Sequence, residues 1–418
     1  MKILVVNWTW HPSGGDWTYI ENLTNLYQDN GHQVIPFAMK HESNYINEFS
    51  KFFIKNIDYK KLLKKNKIAS GIEVLSKSIY SFEAIDRLKA LLLYTKIDLA
   101  HINIIHRYIT PSILKVLKEA KIPILWTLHD YTIICPESTF ISNGKICEAC
   151  KGNKFYNAGL KKCKKQSFLA SSVASLDNYV HHYLDYYDYV DAFICPSKFL
   201  YQKFKDFGFK ENKLHQIYHS YQAREINEIF SRETIKRERF ILFIGRLEKI
   251  KGVHTLLNAM LLCKDIKLKV IGYGSQEDEL KSFVSKHQLS NVSFIGKKNK
   301  KEILECLSKA DFLICPSEWY EVLGFTIIEA MMMKKPVIGA NIGAIPETVI
   351  NNETGLLFTV GNSEMLAQQI KKLYNDKELI RFLGDNAELH IKELTNPDKY
   401  YQNLQTLIPT LHQKEQLV

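Results

Sequence analysis

Short apolar runs rich in β-branched residues recur along the chain, separated by longer polar or amphipathic stretches. The runs lie at 2–6, 33–37, 97–103 and 122–128 in the first half, and at 240–245, 267–272, 292–296 and 336–340 in the second. Each run is almost continuously apolar, which is typical of parallel strands covered by helices on both faces. The alternation predicts βαβ units and therefore an α/β fold with two doubly wound domains.

A weak internal repeat supports the division into two domains. DAFICPS at 191–197 and DFLICPS at 311–317 share five residues, and each has the pattern of a buried strand that ends in a Pro-Ser turn. The polar stretch after residue 220 precedes a new strand and is the natural boundary. We therefore expect a first domain at 1–220, a linker at 221–238, a second domain at 239–395 and a C-terminal helix at 396–418 that packs back on the first domain.

The composition is that of an ordinary globular protein and excludes a disordered or fibrous chain. Of the 418 residues, 46% are hydrophobic and 24% are charged, and a chain of this length commonly forms two domains. The opening segment has a five-residue apolar run broken at Asn7, too short for a signal-peptide core, and no later run is long enough to span a bilayer. We expect a cytoplasmic protein whose membrane contact, if any, is peripheral.

The positive charge is concentrated in the first half of the chain. The formal net charge is +11, of which +9 falls in 1–220 and +2 in 221–418. A run at 51–70 contains seven lysines, including Lys60, Lys61, Lys64 and Lys65, interleaved with apolar residues. This pattern suits docking on the anionic inner face of the cell membrane or on a lipid-diphosphate acceptor, while a solvated helix face is the alternative. Nucleic acid is not expected as a partner, because no recognised binding module accompanies the charge.

The most informative stretch is PSEWYEVLGFTIIEAMMMKKPVIGA at 316–340. Gly324 stands between Glu321 and Glu329, just before a helix-forming run. A glycine at a loop-to-helix junction lets backbone N–H groups approach an anion such as phosphate. A carboxylate one turn into the helix can accept hydrogen bonds from vicinal hydroxyls such as those of a ribose. Taken alone, two such glutamates can equally be solvated surface residues.

Two further glycine-containing segments follow predicted strands in the second half. In FIGRLEKIKGVHTLL at 243–257, Arg246 and Lys251 could hold a diphosphate and neutralise it as a leaving group. In VIGYGSQEDEL, Gly272 and Gly274 predict a tight turn between strand and helix. Each segment alone is weak support for a nucleotide site, since a basic residue at a strand end can also be solvated.

Four cysteines interrupt the first domain at 135–163. Cys135, Cys147, Cys150 and Cys163 have the spacing C-x11-C-x2-C-x12-C, which is compatible with a tetrahedral zinc site of four thiolates. Since all four ligand positions would be filled, such a zinc ion would be structural. Unliganded thiols or a single disulfide are the alternatives.

Read together and in order, GRLEKIKG, VIGYG, ICPSEWYEVLGFTIIEAM and NIGAIPETV resemble the C-terminal domain of glycosyltransferase family 4. The resemblance extends over most of the chain, because it includes Gly14 and Gly15, TLHD at 127–130 and DAFICPS. It implies the GT-B fold, with two Rossmann-like domains facing a central cleft. It also implies a retaining glycosyltransferase that moves a sugar from a UDP- or GDP-linked donor to a lipid-linked or polysaccharide acceptor, in synthesis of cell-surface polysaccharide or glycolipid.

The resemblance also implies roles for individual residues of the donor site. Arg246 and Lys251 would hold the donor diphosphate, Glu321 would face the transferred sugar, and Glu329 would bind the ribose hydroxyls. Gly272 and Gly274 would belong to the nucleotide-binding loops. The family needs no catalytic divalent metal, because arginine, lysine and helix N–H groups supply the positive charge.

Further roles fall on the helix start and on the first domain. Backbone N–H groups of Gly324, Phe325 and Thr326 would meet phosphate and sugar. His129 would reach the sugar from the opposite domain, although a structural histidine capped by the next residue, an aspartate, is the alternative. Gly15 would let the first loop approach donor or acceptor closely.

Two departures from the family pattern affect specificity. Val322-Leu323-Gly324 stands where many members have Pro-Phe-Gly, and His219-Ser220 stands where many have Asn-Gly. A nucleotide-sugar epimerase of the same architecture is the alternative function, although such enzymes lack this order of Arg, Lys and Glu residues. A non-enzymatic binding protein would leave Arg246, Lys251 and Glu329 without a purpose.

Overall fold

The computed structural model describes residues 1–56, 78–230 and 239–415. The chain divides into two compact units. The first comprises Met1–Ser220 together with Pro397–Val418, and the second comprises Tyr221–Asn396. Each unit is built on one six-stranded parallel sheet, which confirms the predicted α/β class with two doubly wound domains.

The first unit contains the sheet β2-β1-β3-β4-β7-β8. Its strands are β1 (Lys2–Val6), β2 (Gln33–Phe37), β3 (Leu99–Ile102), β4 (Ile124–Thr127), β7 (Ala192–Cys195) and β8 (Leu214–Gln216). A small antiparallel hairpin, β5 (Ile141–Ser142) and β6 (Lys145–Ile146), lies in the cysteine insert. The helices are α1 (Gly15–Asp29), α2 (Phe82–Tyr94), α3 (Ser112–Glu119), α4 (Tyr156–Leu160), α5 (Phe168–Tyr183), α6 (Lys198–Asp206) and α15 (Pro397–Glu415).

The second unit contains the sheet β11-β10-β9-β12-β13-β14. Its strands are β9 (Ile241–Ile244), β10 (Leu268–Ile271), β11 (Val292–Gly296), β12 (Leu313–Cys315), β13 (Val337–Ala340) and β14 (Gly355–Phe358). Its helices are α7 (Arg224–Phe230), α8 (Val253–Leu261), α9 (Glu277–Lys286), α10 (Lys300–Lys309), α11 (Phe325–Met332), α12 (Ile345–Thr348), α13 (Ser363–Asn375) and α14 (Lys377–Leu394).

The buried strands explain why the apolar runs form the sheets. In β1, Ile3, Leu4, Val5 and Val6 are all fully buried, as expected for a strand covered on both faces. In the second unit the strand order reverses between β9 and β12. In open α/β sheets ligands bind at the carboxyl ends of the strands beside such a switch point. The loops after β9 and β12 are therefore the expected place for a site.

The segment predicted as a linker at 221–238 contributes to the second unit. Tyr221 is buried, and α7 within this segment buries Ile226 and Ile229. The helix forms because its apolar residues recur three apart and cover one face of the second unit. Residues 231–238 lie outside the described part of the chain.

The C-terminal helix α15 belongs to the first unit. Tyr400 and Leu404 are buried there, and the Tyr400 hydroxyl lies 2.7 Å from that of Tyr19 on α1. On the same helix, the Tyr401 hydroxyl lies 2.6 Å from Nε2 of His32. These contacts hold α15 against α1 and the turn between α1 and β2.

Most of the lysine run at 51–70 lies outside the described residues, including Lys60, Lys61, Lys64 and Lys65. Within the described part, the Lys51 ammonium sits 3.7 Å from the ring centroid of Tyr94. None of the described helices combines the length and the apolar character needed to cross a membrane. Docking on an anionic membrane stays a prediction.

Candidate functional site

Two loops meet at the carboxyl edge of the second sheet, one after β9 and one after β12. The Glu318 N–H donates to the carbonyl of Ile250 at 2.8 Å, and the Thr255 hydroxyl donates to the Glu318 carboxylate at 2.5 Å. Gly252, with φ +66°, allows the close approach, because a Cβ there would lie 1.9 Å from the carbonyl oxygen of Pro316. These contacts bring the two loops that carry Lys251 and Glu321 together.

Glu321 is buried and held by two donors. The Lys251 ammonium lies 2.5 Å from its Oε1, and the Ser317 hydroxyl donates to the same oxygen at 2.7 Å. Burial acts to raise the pKa of Glu321, but the charge of Lys251 and the hydrogen bonds from Lys251 and Ser317 outweigh it and hold the pKa below its usual value. Glu321 is therefore an ionised carboxylate at neutral pH.

The loop after β13 packs on the backbone of Glu321. The Ala344 N–H donates to the Glu321 carbonyl at 2.9 Å. Gly343 has φ +58°, and a Cβ on it would lie 2.5 Å from the Glu321 backbone nitrogen. The glycine of NIGAIPETV thus fixes the backbone position of Glu321.

Glu329 lies on α11, one turn beyond Gly324. Gly324 is the N-cap with φ +84°, and Phe325 and Thr326 are the first two helical residues. The Glu329 side chain is buried, and its Oε1 accepts a hydrogen bond from the Lys300 ammonium at the start of α10. The motif therefore places an anion-attracting helix start beside a buried carboxylate.

Arg246 is exposed in the loop after β9, on the same edge of the sheet as Lys251. Gly272 and Gly274 lie beneath this loop, at the end of β10. A Cβ on Gly272 would lie 1.8 Å from the Gly245 carbonyl, and one on Gly274 would lie 2.4 Å from the Leu247 carbonyl. Both glycines therefore shape the Arg246 loop by close backbone packing.

In the first unit, His129 follows β4 and lies at the carboxyl edge of the sheet. Its Nε2 is 3.0 Å from Oδ1 of Asn103, and its ring packs against Tyr19 and His219 at centroid distances of 4.7 and 5.4 Å. Burial lowers the pKa of His129 to about 3. The alternative of a histidine capped by the next residue is not what the structure has, because the Asp130 carboxylate accepts from the Thr132 N–H instead.

The two glycines after β1, Gly14 and Gly15, occupy different positions at the start of α1. Gly14 is the N-cap of α1 with φ +143°, whereas Gly15 is the first helical residue. The backbone freedom that the sequence points to thus falls on Gly14. A contact between Gly15 and a substrate stays a prediction.

The four cysteines of the insert line one cavity together with Glu137 and Ser142. All eight cysteines of the chain lie in its described part and are free thiols. Backbone N–H groups of Glu137, Ser138 and Phe140 hydrogen-bond to the Cys135 sulfur. Among the residues described, however, no group of three or more His, Cys, Asp or Glu side chains is arranged to hold a metal ion.

Three partners of the candidate site residues were not predicted from the sequence. Lys300 pairs with Glu329, Ser317 with Glu321, and Asn103 with His129. Ser317 stood inside a recognised motif and could have been found, since a hydroxyl four residues before a buried carboxylate is a natural donor. Lys300 and Asn103 carry no comparable local signal.

Two family profiles match consecutive parts of the chain. Glycosyltransferase Family 4 matches residues 13–222, and Glycosyl transferases group 1 matches residues 225–390. Together they cover both units. The matched segments include His129 in the first and the residues around Glu321 and Glu329 in the second.

Curated relatives and solved structures agree with these profiles. An uncharacterized glycosyltransferase of Methanocaldococcus jannaschii is 31% identical over 210 residues, 49% of this chain and 56% of its own. The capsular polysaccharide biosynthesis glycosyltransferase CapM of Staphylococcus aureus is 26% identical over 215 residues, 50% of this chain and 52% of its own. The match spans about half the length of these relatives. Anabaena HepE, solved in complex with UDP-glucose, superposes with a TM-score of 0.65 at 18% identity, over 98% of this chain and 100% of its own.

Proposed function

The chain belongs to glycosyltransferase family 4 and has the two-Rossmann GT-B fold, and from this premise we propose that it is a retaining glycosyltransferase that uses a nucleotide diphosphate sugar. The donor would be UDP- or GDP-linked and would bind in the second unit. The acceptor would be a lipid-linked glycan or a polysaccharide. Likeness to CapM and to the HepE complex with UDP-glucose supports both assignments.

One observation carries the proposal: two buried carboxylates flank a left-handed glycine at a helix start, and each is held by a lysine. Lys251 binds Glu321, and Lys300 binds Glu329, on either side of Gly324. A diphosphate would be attracted by the helix start and by Lys251, while Glu329 would accept hydrogen bonds from ribose hydroxyls. Burying paired charges costs desolvation free energy that the pairing itself offsets only in good geometry, so two such pairs at one sheet edge favour a binding role over a purely stabilising one.

The chemistry assigned to this arrangement is charge stabilisation of the departing diphosphate. As the bond from the anomeric carbon to phosphate breaks, negative charge grows on the diphosphate and positive charge on the sugar ring. Arg246, Lys251 and the N–H groups at the start of α11 would stabilise the former, and the ionised Glu321 would lie on the side of the sugar. An acceptor hydroxyl would form the new bond to the anomeric carbon on the face from which the diphosphate leaves and pass its proton to the departing phosphate oxygen, which would retain the anomeric configuration.

A thermal-shift screen tests the donor class. We expect one of UDP, GDP, ADP and TDP, or its sugar, to raise the Tm of the purified protein by about 5 °C or more at saturating concentration. Arg246→Ala should remove most of this shift, because the exposed guanidinium is assigned to phosphate. Lys264→Ala, which removes an exposed cation before β10 on the opposite edge of the sheet, is the matched control and should retain it. No shift with any nucleotide would contradict the proposal, and conversion of the sugar nucleotide to its epimer without acceptor would favour the epimerase alternative.

We also propose that Cys135, Cys147, Cys150 and Cys163 bind one structural zinc ion. The four thiols share a cavity, and backbone N–H groups directed at the Cys135 sulfur partly offset the burial that raises the pKa of this thiol to about 11. The metal would therefore have to displace the thiol proton as it binds. Because these thiols are not already arranged as a metal site, binding would have to draw them together. The metal would stabilise an insert whose own buried apolar cluster is small, with Phe155 at its centre.

Metal analysis tests the zinc proposal. The protein purified without chelators should contain about one zinc per chain, and Cys150→Ser should lose it. Cys306→Ser, a cysteine outside the insert, should retain it. A folded, metal-free protein in which all four thiols of the insert react with a thiol reagent would overturn the proposal.

We propose association with an anionic membrane surface on the basis of the +9 net charge of residues 1–220 and the lysine run at 51–70. Sedimentation with anionic vesicles at low salt would test it, with Lys60, Lys61, Lys64 and Lys65 replaced by glutamate as the comparison. Binding by neither protein, or equal binding by both, would contradict it.

A further inference from the structure

The orientation of the Asn103 amide is fixed by its neighbours at the sheet edge. Asn103 is buried directly after β3, and its backbone N–H donates to the Val6 carbonyl at 2.9 Å. Its side-chain amide nitrogen donates to the Val6 carbonyl at 3.2 Å and lies 3.4 Å from the His101 carbonyl. A flipped amide would place its oxygen against two carbonyl oxygens. The Asn103 oxygen therefore faces His129.

An amide oxygen only accepts hydrogen bonds, so the contact at 3.0 Å requires a proton on Nε2 of His129. Burial keeps the imidazole neutral at physiological pH, and a neutral ring carries a single proton. With that proton on Nε2, the Nδ1 atom holds a lone pair. In the described part of the chain, Nδ1 of His129 has no hydrogen-bond partner.

None of the other titratable groups described around His129 bonds to its ring nitrogens. His101 on β3 and His219 after β8 both have pKa values lowered by burial and further by His129 itself, so they are neutral. Burial raises the pKa of Tyr19 on α1, which keeps its hydroxyl protonated. Asp130, the next residue in the chain, uses its carboxylate to accept from the Thr132 N–H. Asn103 is thus the group that directly holds the His129 ring nitrogen.

We propose that Asn103 is a positioning residue that fixes His129 as the neutral tautomer protonated on Nε2, so that Nδ1 accepts a hydrogen bond from a substrate hydroxyl. His129 and Asn103 line the same cavity at the carboxyl ends of β3 and β4, together with Trp126 and Asp130. A lone pair there selects a hydroxyl and disfavours a carboxylate or phosphate oxygen, which has no proton to give. The inference deepens the proposed glycosyl transfer and rests on it, since it specifies the polarity of one contact in that reaction.

The protonation state can be measured without turnover. Nitrogen-15 NMR of the full chain labelled at histidine, with the His129 signals identified by their loss in His129→Gln, should show an Nε2-protonated neutral ring from pH 5 to 8. A ring protonated on Nδ1, or a cationic ring at pH 6, would overturn the inference whatever the activity. The tautomer is read from the wild-type protein, and His129→Gln serves only to identify the signals. The unchanged signals of the other histidines in that variant report that it is folded.

Asn103→Asp supplies the second arm of the test. A carboxylate against Nε2 should raise the pKa of His129 into the range from pH 5 to 8, and the imidazolium could no longer accept a hydrogen bond. In this variant kcat/KM should fall about 10-fold or more as pH drops through that pKa, whereas the wild-type profile lacks this ionisation. Asn7→Asp is the matched control, because Asn7 is equally buried after β1 but bonds to Thr9 and the Ile104 N–H. An identical new ionisation in both variants, or in neither, would contradict a direct role of Asn103.

The two arms separate this inference from the function on which it rests. The substrate hydroxyl belongs to the transferred sugar or to the acceptor. Deoxyfluoro analogues of the donor sugar and of the acceptor distinguish these two sources, since fluorine cannot donate a hydrogen bond. If kcat/KM falls with neither analogue, the contact with His129 is contradicted. If His129 has the proposed tautomer but no nucleotide sugar is consumed, the proposed function fails alone. If sugar is transferred by a protein whose His129 is protonated on Nδ1, the inference fails alone.

Discussion

Replacing Lys251 with methionine is expected to lower kcat/KM for sugar transfer by about 100-fold to 1,000-fold, which corresponds to about 3–4 kcal/mol of transition-state stabilisation. The ammonium is assigned two tasks, since it pairs with Glu321 at 2.5 Å and would neutralise the departing diphosphate. Methionine keeps much of the stem but has no charge. The change therefore tests charge rather than packing, and steady-state kinetics with the donor found in the screen measures it.

The same variant has a predicted pH signature in its stability. In the wild type the lowered pKa of Glu321 contributes stability above the ordinary carboxyl pKa, and this contribution is lost as pH falls through the lower folded-state value. Without Lys251, burial raises the pKa of Glu321, so the variant is destabilised at neutral pH by a buried, unpaired carboxylate. The difference in Tm between the two proteins should therefore shrink as pH falls from 7 to 4.

Two comparisons keep this prediction specific. Lys281→Met removes a lysine from an exposed pair with Glu277 on α9 and should leave both kcat/KM and the pH dependence of Tm unchanged. The double variant Lys251→Met, Glu321→Gln should regain much of the lost stability but not the activity, because the buried charge is gone while the phosphate contact remains absent. Near-normal turnover in folded Lys251→Met would contradict the assignment.

Replacing Glu329 with alanine is expected to weaken nucleotide binding and turnover together, by about 30-fold to 1,000-fold in kcat/KM. Two hydrogen bonds from ribose hydroxyls to a buried carboxylate account for about 2–4 kcal/mol. Glu364→Ala, an exposed carboxylate in the first turn of α13, is the control and should behave as the wild type.

The ion pair between Lys300 and Glu329 gives a second test of the assignment of Glu329 to the ribose hydroxyls. Its ammonium binds Glu329 in the structure, so a substrate ribose must share or displace this contact. If Lys300 merely pairs with the Glu329 carboxylate until the ribose displaces it, the Lys300→Met variant should bind nucleotide at least as tightly as the wild type. The Glu329→Ala variant should bind it weakly. Equal losses in both variants would mean that the pair serves the fold of α10 and α11 and not the ribose.

The fold could be predicted from the sequence because its strands are short, buried and almost continuously apolar. The run at 240–245 became β9 and the run at 336–340 became β13. Two edge strands, β8 and β14, escaped the same reasoning, since Leu214–Gln216 and Gly355–Phe358 are short and flanked by turns without a long apolar run. The segment at 221–238 was assigned to a linker because its polar residues obscured the buried face of α7.

Only those residues of the site that stand together in one sequence motif could be predicted. Gly324, Glu321 and Glu329 stand in one stretch whose spacing has chemical meaning. The lysines that pair with these carboxylates stand outside this stretch, because Lys251 lies 70 residues before Glu321 and Lys300 lies 29 residues before Glu329. Such pairs are created when parallel strands bring their carboxyl ends to one edge, and no periodicity in the sequence records which loop residues will meet there.

The central claim is that Glu329 binds the ribose of a nucleoside diphosphate, and calorimetric titration of matched nucleotides tests it most directly. The nucleoside diphosphate from the screen and its 2′,3′-dideoxy analogue are each titrated into the wild type and into Glu329→Gln. We expect the wild type to prefer the ribonucleotide by about 10-fold to 100-fold, and the variant to bind both equally weakly. If the variant weakens both nucleotides by the same factor and keeps the preference for ribose, Glu329 does not bind the ribose hydroxyls and the proposed donor site is wrong.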